Sequence, residues 1–287
     1  MPELKEFDFS KLVLGSVQFG MHYGISNQDG SPENEELNQI LDFANQIGVQ
    51  IIDTASAYGS AEERLGIASK QFKIVSKIRP GTAATDVQEE LESSLNRLEQ
   101  EQLYGLLLHS FDDYQKDQSI WAALKEMKAQ GKVERIGFSL YKPEQLKEVM
   151  ENGHIPDLIQ VPFNLYDRRF QALSELITRN KIEVHVRSAF LQGLFFFEAD
   201  QLPGYFDPIT QKQEKFRKLC TTNTKVISTA INFILSQHWV SKVLVGVNST
   251  GELKGIEESL LNEVPISMES LNFMEESDEA MINPSLW

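Results

Sequence analysis

Four residues of different chemistry stand at or just beyond the ends of short apolar runs in this sequence. Asp53, Lys77 and His109 each close a run that predicts a β-strand. Tyr58 follows five residues after Asp53. Successive parallel strands place their C-terminal ends at one mouth of an α/β barrel, where catalytic groups lie. We therefore expect a carboxylate, an ammonium, an imidazole and a phenol to converge at one site of an enzyme.

These groups suit the reduction of a carbonyl compound. That reaction needs a hydride donor on one face of the carbonyl group and an acid that protonates the developing alkoxide. A phenol, with an ordinary pKa of about 10, is a weak acid unless a neighbour favours the phenolate. We therefore predict that Lys77 lowers the pKa of Tyr58 and that Asp53 keeps Lys77 charged. His109 is then placed to orient the carbonyl oxygen.

The rest of the chain supplies the elements that would hold these residues. Short apolar runs alternate with longer segments of helical spacing, which is the pattern of repeated βα units around a parallel sheet. The predicted strands cover residues 12–15, 49–53, 74–77, 103–109, 135–139, 158–161, 183–187 and 243–247. Eight units in 287 residues, with no linker or repeat, predict an α/β fold: a single (β/α)8 TIM barrel, one domain over residues 1–287.

Helix signals and two irregular regions complete this interpretation. Ser31 is the predicted N-cap and Pro32 the first-turn residue of the helix between the first two strands, and Pro143 opens a later helix. A long loop follows strand seven, at residues 191–223, and a C-terminal tail covers residues 264–287. Long connections in compact domains often serve as lids or binding loops.

Composition excludes several classes of partner. Twenty-seven Lys and Arg residues against 42 Asp and Glu residues give a net charge of −15, which opposes nonspecific binding to nucleic acid or anionic lipid. No apolar run is long enough to cross a membrane. The single cysteine, Cys220, cannot form an internal disulfide, and the first residues lack a signal-peptide pattern. We expect a cytoplasmic protein, with no oligomeric state implied.

The four residues and their surroundings resemble the aldo-keto reductase family. The run Asp-Thr-Ala-Ser-Ala-Tyr-Gly at residues 53–59, with Glu63 and Gly66, is similar to that family's Asp-Thr-Ala-x-x-Tyr-Gly signature. Lys77 and His109 fall where the family's lysine and histidine fall. The resemblance implies a barrel that holds a nicotinamide cofactor across its mouth and reduces an aldehyde or ketone. No Gly-x-Gly-x-x-Gly follows a predicted strand, so a Rossmann-type site is not expected.

The same resemblance implies a set of cofactor-binding residues. Ser139 and Gln160, in segments similar to the family's Gly-Val-Ser and Gln-x-x-x-Asn segments, would bind the nicotinamide carboxamide. Arg187 stands where the family usually carries an aromatic residue that stacks on nicotinamide, and a guanidinium can also stack on a planar ring. Ser188 begins a segment similar to the family's Ser-Pro-Leu loop.

The loop after strand eight is the expected phosphate site. It leads into a helix whose free N–H groups and dipole suit an anion, and its candidate residues are Gly246, Asn248, Ser249 and Glu252. NADP(H) is the favoured cofactor and NAD(H) the second choice. Glu252, however, stands near the position where a basic residue often meets the 2′-phosphate of NADP. It also fits a capping box with Ser249, which would leave Asn248 or Lys254 to bind the phosphate.

Resemblance further suggests the substrate. Residues 17–20 with 23–27, and residues 164–169, are similar to family members associated with bacterial polysaccharide and sugar-precursor pathways. The expected partner is therefore a small-molecule carbonyl substrate that is polar and sugar-derived.

Three other functions stay open at the level of sequence. Lys77 could be the Schiff-base nucleophile of an aldolase-type barrel. Asp53, His109 and His185 could form a metal site for hydrolysis, although Lys77 would repel a cation and His185 fits an interior strand position better. The chain could also be a regulatory module that binds the cofactor and turns over slowly.

Overall fold

Eight parallel strands close into a barrel in the computed structural model, which describes residues 6–22, 30–66 and 68–287. Each strand pairs with the next one, and β8 pairs with β1. The strands are β1 Leu12–Gly15, β2 Ile51–Asp53, β3 Lys73–Ile78, β4 Leu103–Leu108, β5 Val133–Ser139, β6 Leu158–Pro162, β7 Glu183–Arg187 and β8 Lys242–Gly246. The predicted (β/α)8 barrel is confirmed, with every strand end within two residues of its predicted place.

Helices connect the strands around the outside of the barrel. They are α1 Val17–Gly20, α2 Asn34–Ile47, α3 Ala61–Gly66, α4 Val87–Leu98, α5 Phe111–Lys116, α6 Ser119–Ala129, α7 Pro143–Glu151, α8 Ser174–Arg179, α9 Thr210–Leu219, α10 Asn223–Leu235, α11 Thr250–Asn262 and α12 Glu279–Ile282. Short 3-10 helices lie at Phe9–Lys11, Ala84–Asp86, Arg169–Leu173, Leu191–Phe196, Ala199–Gln201, Gly204–Ile209, Met268–Met274 and Pro284–Leu286. Pro143 opens α7 as predicted.

The interior of the barrel explains why polar side chains collect at one mouth. An apolar layer fills the barrel, formed by Val13, Ile51, Val75, Leu107 and Leu158. Because successive side chains on a strand alternate between its two faces, residues two positions beyond this layer also point into the barrel. Those residues are Asp53, Lys77 and His109, at or just beyond the carboxyl ends of β2, β3 and β4. Polar side chains therefore collect at this mouth, above the apolar layer.

The predicted start of α2 is wrong. The helix begins at Asn34, with Glu33 in an extended conformation as its N-cap residue, so Ser31 and Pro32 lie before it. A tertiary contact accompanies this start, because the guanidinium of Arg64 donates hydrogen bonds to the carbonyl of Pro32 and to the side chain of Asn34. The carbonyl of Pro32, which lies before the helix, thus accepts a hydrogen bond from the arginine.

The long connection after β7 is more structured than its sequence indicated. It contains three 3-10 helices and α9, which the sequence did not predict. Phe195 is fully buried, with its ring centroid 5.3 Å from that of Tyr166 and 5.8 Å from that of Phe216. The C-terminal tail contacts the segment after β6 that also holds Tyr166, because Arg168 donates to the carbonyl of Leu271 at 2.7 Å. Phe195 and Leu271 thus belong to the packed core.

A second polar cluster lies at the opposite, amino-terminal end of the barrel. The carboxylate of Glu183 accepts hydrogen bonds from Tyr104 and from the buried His185, each at 2.8 Å, and pairs with Arg135 at 3.0 Å. Burial opposes ionisation of Glu183, but the hydrogen bonds and charges of these neighbours outweigh it and lower its pKa to about 2. The predicted interior role of His185 is confirmed by its complete burial.

This cluster predicts a pH-dependent stability. A carboxylate whose folded-state pKa falls from 4.5 to about 2 stabilises the fold above pH 4.5 and loses that contribution as the pH falls towards 2. We expect Glu183→Gln to lower the free energy of unfolding by about 2 kcal/mol at pH 7 and by clearly less at pH 3. Urea unfolding measures both, with the exposed Glu175→Gln as control. An equal loss at both pH values would refute the assignment.

Candidate active site

The side chains of Lys77 and Asp53 form a buried ion pair at the carboxyl-terminal mouth. Lys77 is 1% exposed and Asp53 is 2% exposed. The Lys77 Nζ donates to Asp53 Oδ2 at 2.7 Å, to the carbonyl of Thr54 at 2.8 Å and to the Tyr58 hydroxyl at 3.4 Å. All three N–H groups of the ammonium are therefore engaged, and one of them points at the phenol.

The protonation states of this pair and of Tyr58 follow from burial and charge. Burial by itself would lower the pKa of Lys77, but Asp53 and Tyr58 outweigh it, so that the pKa is raised. Burial raises the pKa of Tyr58 more than Lys77 lowers it, and Asp53 raises it further. The predicted net lowering of the Tyr58 pKa is therefore wrong, although Lys77 acts in the predicted direction. Tyr58 is a protonated phenol at neutral pH.

His109 lies beside Tyr58 as the first residue after β4. The two rings meet edge to face, with centroids 5.7 Å apart and planes at 86°. Burial, together with the charges of Lys77 and Arg187, lowers the pKa of His109 to about 4, which makes it neutral at pH 7. Its Nδ1 is buried and has no hydrogen-bond partner in the described part of the chain.

Close backbone contacts fix the loop that carries Tyr58. Gly59 adopts a φ of +57°, and a Cβ atom on it would overlap the carbonyl oxygen of Gly20. A Cβ atom on Gly20 would overlap the carbonyl oxygen of Tyr58. Only glycine tolerates both the left-handed conformation and this approach. Gly20 and Gly59 belong to motifs that the sequence shows, but the contact between them is visible only in the fold.

A buried carboxylate anchors the helix that follows this loop. Glu62 on α3 is 2% exposed and accepts hydrogen bonds from Ser76 at 2.6 Å and Ser94 at 3.1 Å. It also pairs with Arg97 at 2.7 Å. Sequence reasoning missed this network, because Glu62 stands beside Glu63 in an ordinary helical pattern and its partners come from β3 and α4.

The predicted carboxamide-binding residues reach the same mouth. Ser139, the last residue of β5, is in register with Gln160 in the middle of β6, and both are buried. The amide of Gln160 donates to Asp53 Oδ1 at 2.6 Å. Gln160 therefore extends a hydrogen-bonded chain that runs through Asp53 and Lys77 to Tyr58.

Arg187 and Ser188 lie at the end of β7. The Cζ of Arg187 is 4.0 Å from the centroid of the Tyr141 ring. Ser188 has a φ of +60°, and its carbonyl accepts a hydrogen bond from Asn164 at 3.1 Å. A left-handed conformation in a residue other than glycine is strained and is common at functional sites.

The amino terminus of α11 differs from the anion site that the sequence predicted. The Asn248 amide donates to the Glu252 carboxylate at 2.7 Å, and the Thr250 amide donates to the carboxylate of Glu36, on α2, at 2.6 Å. Ser249 Oγ accepts from the Glu252 amide at 3.2 Å, as a capping box requires. Glu252 reaches back to Asn248 rather than to the Ser249 N-cap amide. These amides already hold carboxylates of the protein itself.

Two further residues of the predicted phosphate site contact side chains of the protein. Gly246 ends β8, and a Cβ atom on it would overlap the side-chain oxygen of Gln18. The Nζ of Lys254, the alternative phosphate ligand, is 5.4 Å from the centroid of the Phe43 ring. Residues 23–27, part of the resemblance to polysaccharide-pathway members, lie outside the described residues.

The geometry bears on the alternative functions. A Schiff-base nucleophile needs a neutral amine, whereas Lys77 has a raised pKa and donates three hydrogen bonds. Among the described residues, no three His, Cys, Asp or Glu side chains are grouped as a metal site would require. The Nε2 of His185 contacts the Glu183 carboxylate at 2.8 Å, and His185 is not grouped with Asp53 and His109 as a metal site would require. In the same described part, no helix has the length and apolar character needed to cross a bilayer.

Comparison with known proteins agrees with this architecture. The model of the aldo/keto reductase family matches residues 11–279. The NADH-specific methylglyoxal reductase of Escherichia coli is 24% identical, over 96% of this chain and 97% of that protein. The aldo-keto reductase YhdN of Bacillus subtilis is 26% identical over 80% of each chain. An aldo-keto reductase structure from Bacillus halodurans shares the fold, with a TM-score of 0.73 at 19% identity over 94% of this chain and 95% of that one. The chain belongs to the aldo/keto reductase family and is an oxidoreductase.

Proposed function

We propose that this enzyme reduces an aldehyde or ketone to the alcohol with a nicotinamide cofactor, and that Tyr58 is the proton donor. One observation carries the proposal: Lys77 is held by Asp53 and directs an N–H group at the Tyr58 hydroxyl. Family membership supports the use of NAD(P)H. A charged neighbour that stabilises the phenolate is what a tyrosine needs to act as an acid.

Each polar residue at the mouth has a separate role in the reduction. When bound, the cofactor supplies the hydride that reaches the carbonyl carbon. Tyr58, protonated at neutral pH, gives its proton to the oxygen as the alkoxide develops. Lys77 then stabilises the phenolate, which takes its next proton from solvent. An N–H group of the neutral His109 donates a hydrogen bond that orients the carbonyl oxygen.

The polar side chains around the mouth fit a nicotinamide cofactor. Ser139 and Gln160 are buried in register on adjacent strands, so a hydroxyl and an amide could meet the carboxamide group. The strained Ser188 and the end of β8 at Gly246 would contact the rest of the nucleotide. The flat face of Arg187 that is opposite Tyr141 could pack on the nicotinamide ring.

We further propose that NADH binds more tightly than NADPH, although the resemblance had favoured NADP(H). Two carboxylates, Glu36 and Glu252, accept hydrogen bonds at the amino terminus of α11. A 2′-phosphate brought to this position would meet like charges. The relative from Escherichia coli is named as NADH-specific, which supports the same direction. A sugar-derived substrate stays a proposal from the resemblance of residues 164–169.

Replacement of the proton donor tests the main proposal. We expect Tyr58→Phe to lower kcat by about 10²–10⁴ while NADH binding is unchanged, because only the transferable proton is lost. Steady-state rates across a panel of aldehydes and ketones, with fluorescence titration of NADH, measure both. The exposed Tyr205→Phe is the matched control. Tight NADH binding by the unaltered enzyme without turnover of any panel member would instead favour the slow regulatory module.

The ionisation of His109 tests its role as a neutral donor. Since burial and two nearby cations lower its pKa to about 4, the imidazole should stay uncharged from pH 5.5 upwards. Its Cε1 proton resonance, assigned by its loss in His109→Gln, should show a titration midpoint near 4. Free histidine in the same buffer is the reference. A midpoint near 6.5 would contradict this assignment.

The relative affinity for NADH and NADPH tests whether the carboxylates at the amino terminus of α11 disfavour the 2′-phosphate. Fluorescence titration of the unaltered enzyme should give a lower Kd for NADH than for NADPH. Glu252→Gln should narrow that difference by about 2- to 5-fold, because one negative charge leaves the helix terminus. Glu258→Gln, exposed on the same helix, should leave it unchanged. A lower Kd for NADPH in the unaltered enzyme would overturn the proposal.

A further inference from the structure

The guanidinium of Arg187 has fewer partners than its position demands. Its Nε is buried and has no hydrogen-bond partner among the described residues. Its Nη2 reaches the carbonyl of Leu140 at 3.3 Å, and its Nη1 reaches Ser188 Oγ at 3.5 Å, which are long contacts. Within the described residues, no carboxylate forms an ion pair with it.

Other half-buried arginines of the described residues have close partners, and two of them, Arg64 and Arg168, donate to backbone carbonyls. Arg97, Arg135, Arg169 and Arg217 each have a nitrogen within 3.0 Å of a carboxylate oxygen. Acidic residues outnumber basic ones by 42 to 27, so an arginine has many potential partners. A half-buried cation without one is costly, because it has lost part of its hydration and gained no counter-charge. This cost is explained if a ligand supplies the counter-charge.

Arg187 is close to the groups that would carry out the reduction. It shares the inward face of β7 with Glu183 and His185 by the alternation of side chains, and it ends that strand at the mouth. Its positive charge contributes to lowering the pKa of His109, and for Tyr58 it opposes the rise that burial causes. A group bound by Arg187 would therefore lie near a carbonyl placed between these two side chains.

The backbone after Arg187 shows that its position is maintained at a cost. Ser188, Leu191 and Gln192 all have positive φ angles, of 60°, 49° and 54°. Such strain persists where the surrounding structure requires it, and it clusters at ligand sites. Tyr141 supports one flat face of the guanidinium at 4.0 Å. The side chain is therefore held in place before any ligand arrives.

The unsatisfied atoms lie on the edge of the guanidinium rather than on its faces. A stacked ring, whether that of Tyr141 or a nicotinamide, contacts a face and gives the Nε–H group no acceptor. An oxyanion meets the edge and can accept two parallel N–H hydrogen bonds. Lys77 cannot compete for that anion, because its three N–H groups are already engaged.

We infer that Arg187 binds an anionic group of the carbonyl substrate, a carboxylate or a phosphate, and so selects anionic aldehydes or ketones over neutral ones. This inference rests on the proposed carbonyl reduction. It assigns Arg187 to substrate specificity, in addition to any contact of its flat face with the cofactor.

Pairs of an anionic and a neutral substrate test the inference. With NADH or NADPH, whichever binds, kcat/KM should be higher for 4-carboxybenzaldehyde than for 4-formylbenzamide, or for glyceraldehyde 3-phosphate than for glyceraldehyde. The first pair reports a carboxylate and the second a phosphate. Arg187→Gln should reduce the preference for the anionic member by roughly 30-fold or more, as loss of one partner of a buried charge pair does. Arg187→Lys should keep part of it.

Controls separate this inference from the proposed function. Arg179→Gln, an exposed change of the same charge, should leave the preference intact. Calorimetry should show that 4-(hydroxymethyl)benzoate binds the enzyme with NADH more tightly than 4-(hydroxymethyl)benzamide does, and that Arg187→Gln abolishes the difference. The binding comparison can be made even if the enzyme reduces no aldehyde. A complete lack of turnover would contradict the proposed reduction but not the binding of an anion by Arg187.

Two outcomes would overturn the inference while leaving carbonyl reduction intact. The first is equal kcat/KM and equal binding for the charged and neutral members of both pairs in the unaltered enzyme. The second is an Arg187→Gln enzyme that binds NADH more weakly but keeps the preference for anions, which would assign Arg187 to the cofactor alone.

Discussion

The ion pair of Lys77 with Asp53 inside the closed barrel is the constraint on which the site depends. Two charges removed from water are costly unless every polar atom finds a partner. The structure meets that condition: both carboxylate oxygens of Asp53 accept a hydrogen bond, from Lys77 and from Gln160. The remaining N–H groups of the ammonium go to Thr54 and Tyr58. The position of the phenol is thereby coupled to that of the buried charges.

The same burial sets the protonation of the whole site. It lowers the pKa of Lys77, an effect that Asp53 and Tyr58 outweigh, and it keeps Tyr58 and His109 uncharged. At neutral pH these residues and Asp53 therefore form one ion pair and two neutral hydrogen-bonding groups. Such a site can donate a proton and stabilise the charge that remains, which is the chemistry proposed for it.

Negative and positive side chains lie at different places around the mouth. The carboxylates of Glu36 and Glu252 accept hydrogen bonds at the amino terminus of α11, whereas Arg187 at the end of β7 has no carboxylate partner among the described residues. The first arrangement opposes a phosphate and the second attracts an anion. The proposed preferences for NADH and for an anionic substrate thus arise from different elements of one barrel.

The sequence by itself determined the strands, their order and the four residues at the mouth. Alternation of apolar runs with helical segments requires a parallel sheet, and the type of residue at each strand end is visible directly. What it could not supply were interactions across long separations. Gln160 bonds Asp53 across 107 positions, and Glu36 occupies the amide of Thr250 across 214.

Only the tertiary structure decided the sign of the Tyr58 pKa shift, the occupancy of the helix terminus and the unpaired state of Arg187. The physical reason is the same for each. Burial and hydrogen-bond partners depend on which side chains from distant elements pack together, whereas periodicity and residue type are local properties of the chain.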